Sequence, residues 1–181
     1  MNPRILLLGV IITAVVQTGL LVNILTNRAE ALKTGQEVRL ETGFVDPRDL
    51  FRGHYTRLNL LINTVPKTKL DPLVAFQAGD DAYAELETTG DFATVHKLWK
   101  TYPRNTKRPV LKGTYNYSRQ NDVRVDFAIT RFYADKKRAL ELENLERDGK
   151  LGVILSISPK GDAMIKGLSI EGHQIYEEPL Y

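Results

Sequence analysis

The hydrophobic pattern divides the chain in two. From Ile5 to Leu25, ILLLGVIITAVVQTGLLVNIL, no residue is charged, and fourteen of the 21 are Ile, Leu or Val. As a helix this stretch spans roughly 31 Å, close to the ~30 Å hydrocarbon core of a bilayer. At about −0.3 to −0.6 kcal/mol per apolar residue, the fourteen contribute roughly −4 to −8 kcal/mol to insertion; Gln17 and Asn23 subtract less than a central charge would. The run is longer than the roughly 7–15 residues of a secretory signal core, and Arg28 and Glu30 crowd the Ala29-Glu30-Ala31 site where cleavage would fall. The pattern predicts an uncleaved, single-pass anchor. Gly9, Thr13 and Gln17 recur every four residues on it, a spacing that lets another helix approach closely and Gln17 hydrogen-bond across.

Beyond the anchor the period changes from helical to alternating. Thr26 to Thr34 continues the helix and Gly35 stops it, so residues 1–34 form one unit and 35–181 the other. In Glu37 to Val45, Val38, Leu40 and Thr42 alternate with Glu37, Arg39 and Glu41, which predicts a strand. Further strands are expected over Tyr55 to Ile62, Asp81 to Thr88, Ala93 to Tyr102 and Val110 to Tyr117. Val123 to Phe132 is the clearest, with Val123, Val125, Phe127 and Ile129 on one side and Arg124, Asp126, Ala128 and Thr130 on the other. Leu151 to Ile157 and Ala163 to Ile170 close the chain as a pair around Ser158-Pro159-Lys160-Gly161-Asp162, and Ala134 to Arg147 reads as the one helix outside the membrane. Short strands separated by breakers mark a sandwich or barrel rather than a βαβ sheet. The expected fold is mainly β: an N-terminal transmembrane helix, then a β-sandwich or barrel-like domain with one short helix.

Composition narrows the chemistry. The chain of 181 residues is 43% hydrophobic and 26% charged, as a globular domain requires. A net charge of +3 with both signs interspersed lacks the concentrated basic face of a nucleic-acid binder. With no cysteine, disulfides, thiolate zinc sites and a Cys nucleophile are excluded. His54, His96 and His173 are too far apart in sequence to form a metal-ligand motif, so no metal and no cofactor is expected. Ser118, Ser156, Ser158 and Ser169 occur without a nucleophile elbow, and no Gly-rich phosphate loop is present. Tyr115, Tyr117, Phe132 and Tyr133 read as core or strand-face aromatics, and Trp99 as packing between solvated Lys97 and Lys100.

The densest mixture of special residues is Asp46 to Leu60, DPRDLFRGHYTRLNL. Asp46-Pro47 starts a turn, and Gly53 permits a second. Asp46, Arg48, Asp49 and Arg52 suit a bidentate ion-pair network stapling that turn, or a recognition surface. Paired carboxylates also serve acid–base catalysis, but two residues three apart on a loop specify no geometry.

Gly53-His54-Tyr55-Thr56-Arg57-Leu58-Asn59-Leu60 resembles the signature of the GDYXXLXY family, membrane-anchored bacterial proteins named for Gly-Asp-Tyr-x-x-Leu-x-Tyr. His54 stands where the family has Asp, and Leu60 where it has the second Tyr. Arg131-Phe132-Tyr133 followed by Lys136 to Glu143 is similar to the family's second aromatic patch and charged helix. The resemblance implies an inner-membrane anchor with the C-terminal domain in the periplasm or otherwise outside the cytoplasm; flanking charges alone do not set this orientation. It implies no known activity, and it implies multi-pass membrane proteins as neighbours. The expected function is a non-enzymatic accessory or interaction module at the bilayer, with a multi-pass membrane protein as partner and no nucleic acid. Its binding residues would be Asp46, Arg48, Asp49, Arg52, Gly53, His54, Tyr55 and Leu58. Sequence order also puts this signature loop near the start of the domain, within reach of the bilayer. The alternative is a membrane-tethered envelope hydrolase using polar residues of the same loop.

Overall fold

The computed structural model describes residues 3–43, 55–57, 59–129, 131–133, 151–170 and 173–177. The chain begins with one unbroken helix, α1 (Pro3–Thr34). At 32 residues it is about 48 Å long. The apolar segment and its continuation are thus a single element, which ends at Gly35 as expected. Leu7, Val10, Ile11, Ile12, Val15, Val16, Leu20, Leu21 and Val22 are 51–66% exposed, so nothing in the β domain covers them. Among the described residues no helix is long and apolar enough to cross a membrane, and the expected transmembrane span is not an observed feature of the fold.

Twelve strands follow: β1 (Gln36–Gly43), β2 (Tyr55–Arg57), β3 (Asn59–Leu60), β4 (Thr64–Pro66), β5 (Asp81–Glu87), β6 (Thr94–Trp99), β7 (Val110–Ser118), β8 (Asp122–Asp126), β9 (Arg131–Tyr133), β10 (Leu151–Ile157), β11 (Ala163–Ile170) and β12 (His173–Glu177). They pair antiparallel into a five-stranded sheet of order β12-β11-β10-β1-β3, another of order β4-β8-β7-β5-β6, and a two-stranded ribbon, β2-β9. The first sheet unites the two ends of the domain: β1 lies against β10, with Gln36 opposite Ile157 and Glu41 opposite Gly152.

Alternation explains the burial. On β1, Val38, Leu40 and Thr42 point inward, as expected. On β5, Ala82, Ala84 and Leu86 enter the core while Tyr83, Glu85 and Glu87 occupy the outer face. All seven residues of β10 are buried, so both faces of this inner strand are covered. Both five-stranded sheets contribute to one hydrophobic core, including Val38, Leu40, Leu155 and Leu168 from the first and Ala84, Leu98, Leu111 and Val125 from the second.

Three corners join the sheets. The chain passes from β3 through a 3-10 turn at Leu61–Asn63 directly into β4. The Ala93 N–H donates to the Arg39 carbonyl at 2.8 Å, laying the start of β6 along β1. The Lys112 N–H donates to the Gly161 carbonyl at 2.8 Å, docking the β10–β11 turn onto β7. Gly161 has φ of 92°, and a Cβ there would stand 3.2 Å from the Val110 carbonyl oxygen. An L-residue in that left-handed region costs about 1–2 kcal/mol before any crowding is added. Gly161→Val is therefore expected to lower the unfolding midpoint and to speed hydrogen exchange at the Lys112 amide. An unchanged midpoint would show that this corner does not hold the sheets together.

Three predicted strands end early, the run Ala93 to Tyr102 stopping at Trp99. Tyr55 to Ile62 is not one strand: β2 and β3 are short, and Leu61–Asn63 turns to bring Ile62 and Asn63 inside. Val123 to Phe132 keeps its alternating burial through Ile129, but the strand stops at Asp126 and resumes as β9. The break is at Ala128, with φ of 58° and its N–H donated to Asp126 Oδ1 at 2.9 Å. The helix expected over Ala134 to Arg147 lies outside the described residues.

Candidate functional site

Asp46, Arg48, Asp49, Arg52, Gly53, His54 and Leu58 of the signature loop lie outside the described residues. Tyr55 opens β2, its backbone opposite that of Tyr133. The loop departs from Gly43, at the end of β1 remote from α1. Seven residue steps of about 3.3 Å separate that point from Gln36, so the loop leaves roughly 23 Å from the end of the helix. On α1, Gly9, Thr13 and Gln17 are all exposed. Thr13 Oγ1 donates to the Gly9 carbonyl at 2.9 Å, so its hydroxyl is satisfied within its own helix.

The densest polar constellation among the described residues was not anticipated. It lies on the outer face of the second sheet. There the loop after β6 folds back over β5, with the Tyr102 ring edge-on to Tyr83 at 5.7 Å between centroids. Glu85 is covered as a result, its side chain only 8% exposed. Trp99 Nε1 donates to Glu85 Oε2 at 3.0 Å, and Thr106 Oγ1 donates to Glu85 Oε1 at 2.7 Å. Arg108 bridges this carboxylate and the next, with Nη1 3.6 Å from Glu85 Oε1 and Nη2 3.0 Å from Glu87 Oε2. His96 Nδ1 stands 4.0 Å from Glu87 Oε2.

Burial pushes the Glu85 carboxyl up, but hydrogen bonds from Thr106 and Trp99 and the charges of His96 and Arg108 outweigh it. The net effect holds Glu85 below the ordinary glutamate value of about 4.5. Both carboxylate oxygens already accept hydrogen bonds, which leaves an ionised group committed to its neighbours rather than a base poised for a substrate proton. The constellation is a clasp: it fastens a breaker-rich loop across a sheet.

Other expected roles change in detail. Trp99 is a hydrogen-bond donor as well as a packing residue, and Lys97 Nζ lies 4.0 Å over its ring. Lys100 is paired with Asp80 at 2.7 Å rather than simply solvated; its hydrogen bond is the first cause holding the Asp80 carboxyl down. Tyr115 is core, stacked on Phe76 at 5.1 Å, whereas Tyr117 is exposed beside Arg119. Ser118 and Ser158 hydrogen-bond locally within turns, and Ser156 and Ser169 are buried. Among the described residues no three His, Asp or Glu side chains gather as metal ligands.

A family model described as GDYXXLXY protein matches residues 17–168. No curated protein and no solved structure matches the chain.

Proposed function

Because this chain belongs to the GDYXXLXY protein family, whose signature carries no assigned reaction, we propose that it is a membrane-anchored accessory module that presents a β domain to a multi-pass membrane protein. One observation carries this reading. The 21 uncharged residues from Ile5 to Leu25 lie within a single helix whose described apolar side chains are uncovered by the domain. Apolar surface of that extent is stable in lipid and costly in water. The domain then sits outside the cytoplasm, tethered at the inner membrane, and tethering makes contact with a neighbouring membrane protein effectively intramolecular.

Two surfaces serve the partner. Gln17, with Gly9 and Thr13 on the same face, meets a helix within the bilayer. The signature loop, with Asp46, Arg48, Asp49, Arg52, Gly53, His54, Tyr55 and Leu58, meets the partner's extramembrane part, since it departs from the end of β1 away from the anchor. Photocrosslinking probes at Gln17 and at His54, one at a time in native membranes, test this. The expected result is one multi-pass membrane protein captured at both sites. Correctly inserted protein that captures none at either site would overturn the interaction reading.

A further inference from the structure

The end of the domain from which the helix emerges carries cations that make no ion pair among the described residues. Gln36, the first residue of β1, is opposite Ile157, and Ile157 is opposite Ala163. The turn Ser158 to Asp162 therefore sits beside the point where α1 joins the sheet, and α1 itself contacts both β10 and β11. Through the Gly161–Lys112 hydrogen bond, this turn adjoins the start of β7 and with it the loop 103–109.

Charges at this junction divide into two groups. Lys112 is held by Asp81 at 3.0 Å, Lys166 by Glu37 at 2.8 Å, and Arg108 by Glu85 and Glu87. Arg104 and Lys107 in the loop and Lys160 in the turn are exposed and make no ion pair among the described residues. Asp162 is the acidic residue nearest them in the turn, and it faces Lys112 electrostatically. The clasp on Glu85 and the docking of Gly161 hold the backbone that carries the three cations, so little ordering is required for them to act together.

We propose that Arg104, Lys107 and Lys160 form a basic rim that seats the domain on the anionic phospholipid headgroups around its own anchor. The proposal rests on the anchored reading above. Each cation near an anionic bilayer strengthens attraction by about fivefold, and the effect fades within a Debye length of ~10 Å at 0.1 M salt. The rim thus acts only if the helix delivers it to the surface, and it sets how the domain is tilted toward its partner.

The full chain has no cysteine, so Asn105→Cys gives a single dye site within the basic loop. The labelled protein is reconstituted into vesicles of phosphatidylcholine alone or with about one-third phosphatidylglycerol, each containing a headgroup-linked quencher. Anionic lipid is expected to increase quenching, high salt to reverse the increase, and the triple variant Arg104→Glu, Lys107→Glu, Lys160→Glu to abolish it. Equal quenching in both vesicles, or an unchanged increase in the triple variant, overturns the rim. Flotation of the same samples separates the two ideas. Protein that floats with both vesicles but shows no lipid-dependent quenching removes the rim alone. Protein that floats with neither removes the anchor and the rim with it.

Discussion

On the anchored reading proposed above, Val15→Arg combined with Val16→Arg is expected to release the chain from the membrane. Both positions lie near the middle of the uncharged run, and both side chains are uncovered by the domain, 66% and 55% exposed. Two central arginines cost about 5–7 kcal/mol on the insertion scale, against roughly −4 to −8 kcal/mol from the fourteen apolar residues. With Gln17 and Asn23 also subtracting, insertion moves from favourable or close to neutral toward unfavourable. The protein should shift from the alkali-resistant membrane fraction to the wash, while Val15→Leu with Val16→Leu stays behind. The β domain makes no use of these side chains, so its unfolding midpoint should not move. A double-arginine variant that remains alkali-resistant would mean that α1 is not the anchor.

The helix that this prediction targets was legible in the sequence, although a membrane span is not an observed feature of the fold. A single long helix follows from an uninterrupted apolar run with no Pro or charge inside it, and its end follows from Gly35. The faces of the strands were equally legible: Val38, Leu40 and Thr42, or Val123, Val125, Phe127 and Ile129, are buried because period-2 alternation needs only local geometry. Strand ends were less so. Ala128 carries no glycine or asparagine to announce its positive φ; the Asp126 carboxylate two residues back makes that conformation tenable by accepting the Ala128 N–H. β12 was missed because His173 to Glu177 is short and polar. It owes its place to pairing with β11, a long-range event that no local pattern records.

The sheet order was illegible for the same reason. In it β1 pairs with β10 from the far end of the chain, and β3 leads through a turn into the opposite sheet. The ends of β1 separate α1 from Gly43. On the reading proposed above, the end beside α1 serves lipid and the other end serves the partner.

Glu85→Ala is expected to destabilise the domain by about 2–4 kcal/mol at neutral pH, since it strips the acceptor from Trp99, Thr106 and Arg108 at once and leaves their donors partly buried. Period-2 alternation puts Glu85 on the face of β5 opposite to Ala84 and Leu86. Only the fold-back of residues 101–109 turns an exposed carboxylate into a covered one, and its donors come from 14 and 21 residues away. Acid should mimic the substitution. The folded-state pKa of Glu85 is depressed, so its contribution is complete above the unfolded value of about 4.5 and is lost as pH falls below that through the folded value. Denaturant midpoints of the full chain in detergent, taken at neutral pH and across the acid range, read both effects. Glu85→Gln should lose part of the stability at neutral pH and narrow the gap between wild type and variant on acidification. A Glu85→Ala variant within about 0.5 kcal/mol of wild type, the range of ordinary surface substitutions, would show that the loop holds its place without the clasp.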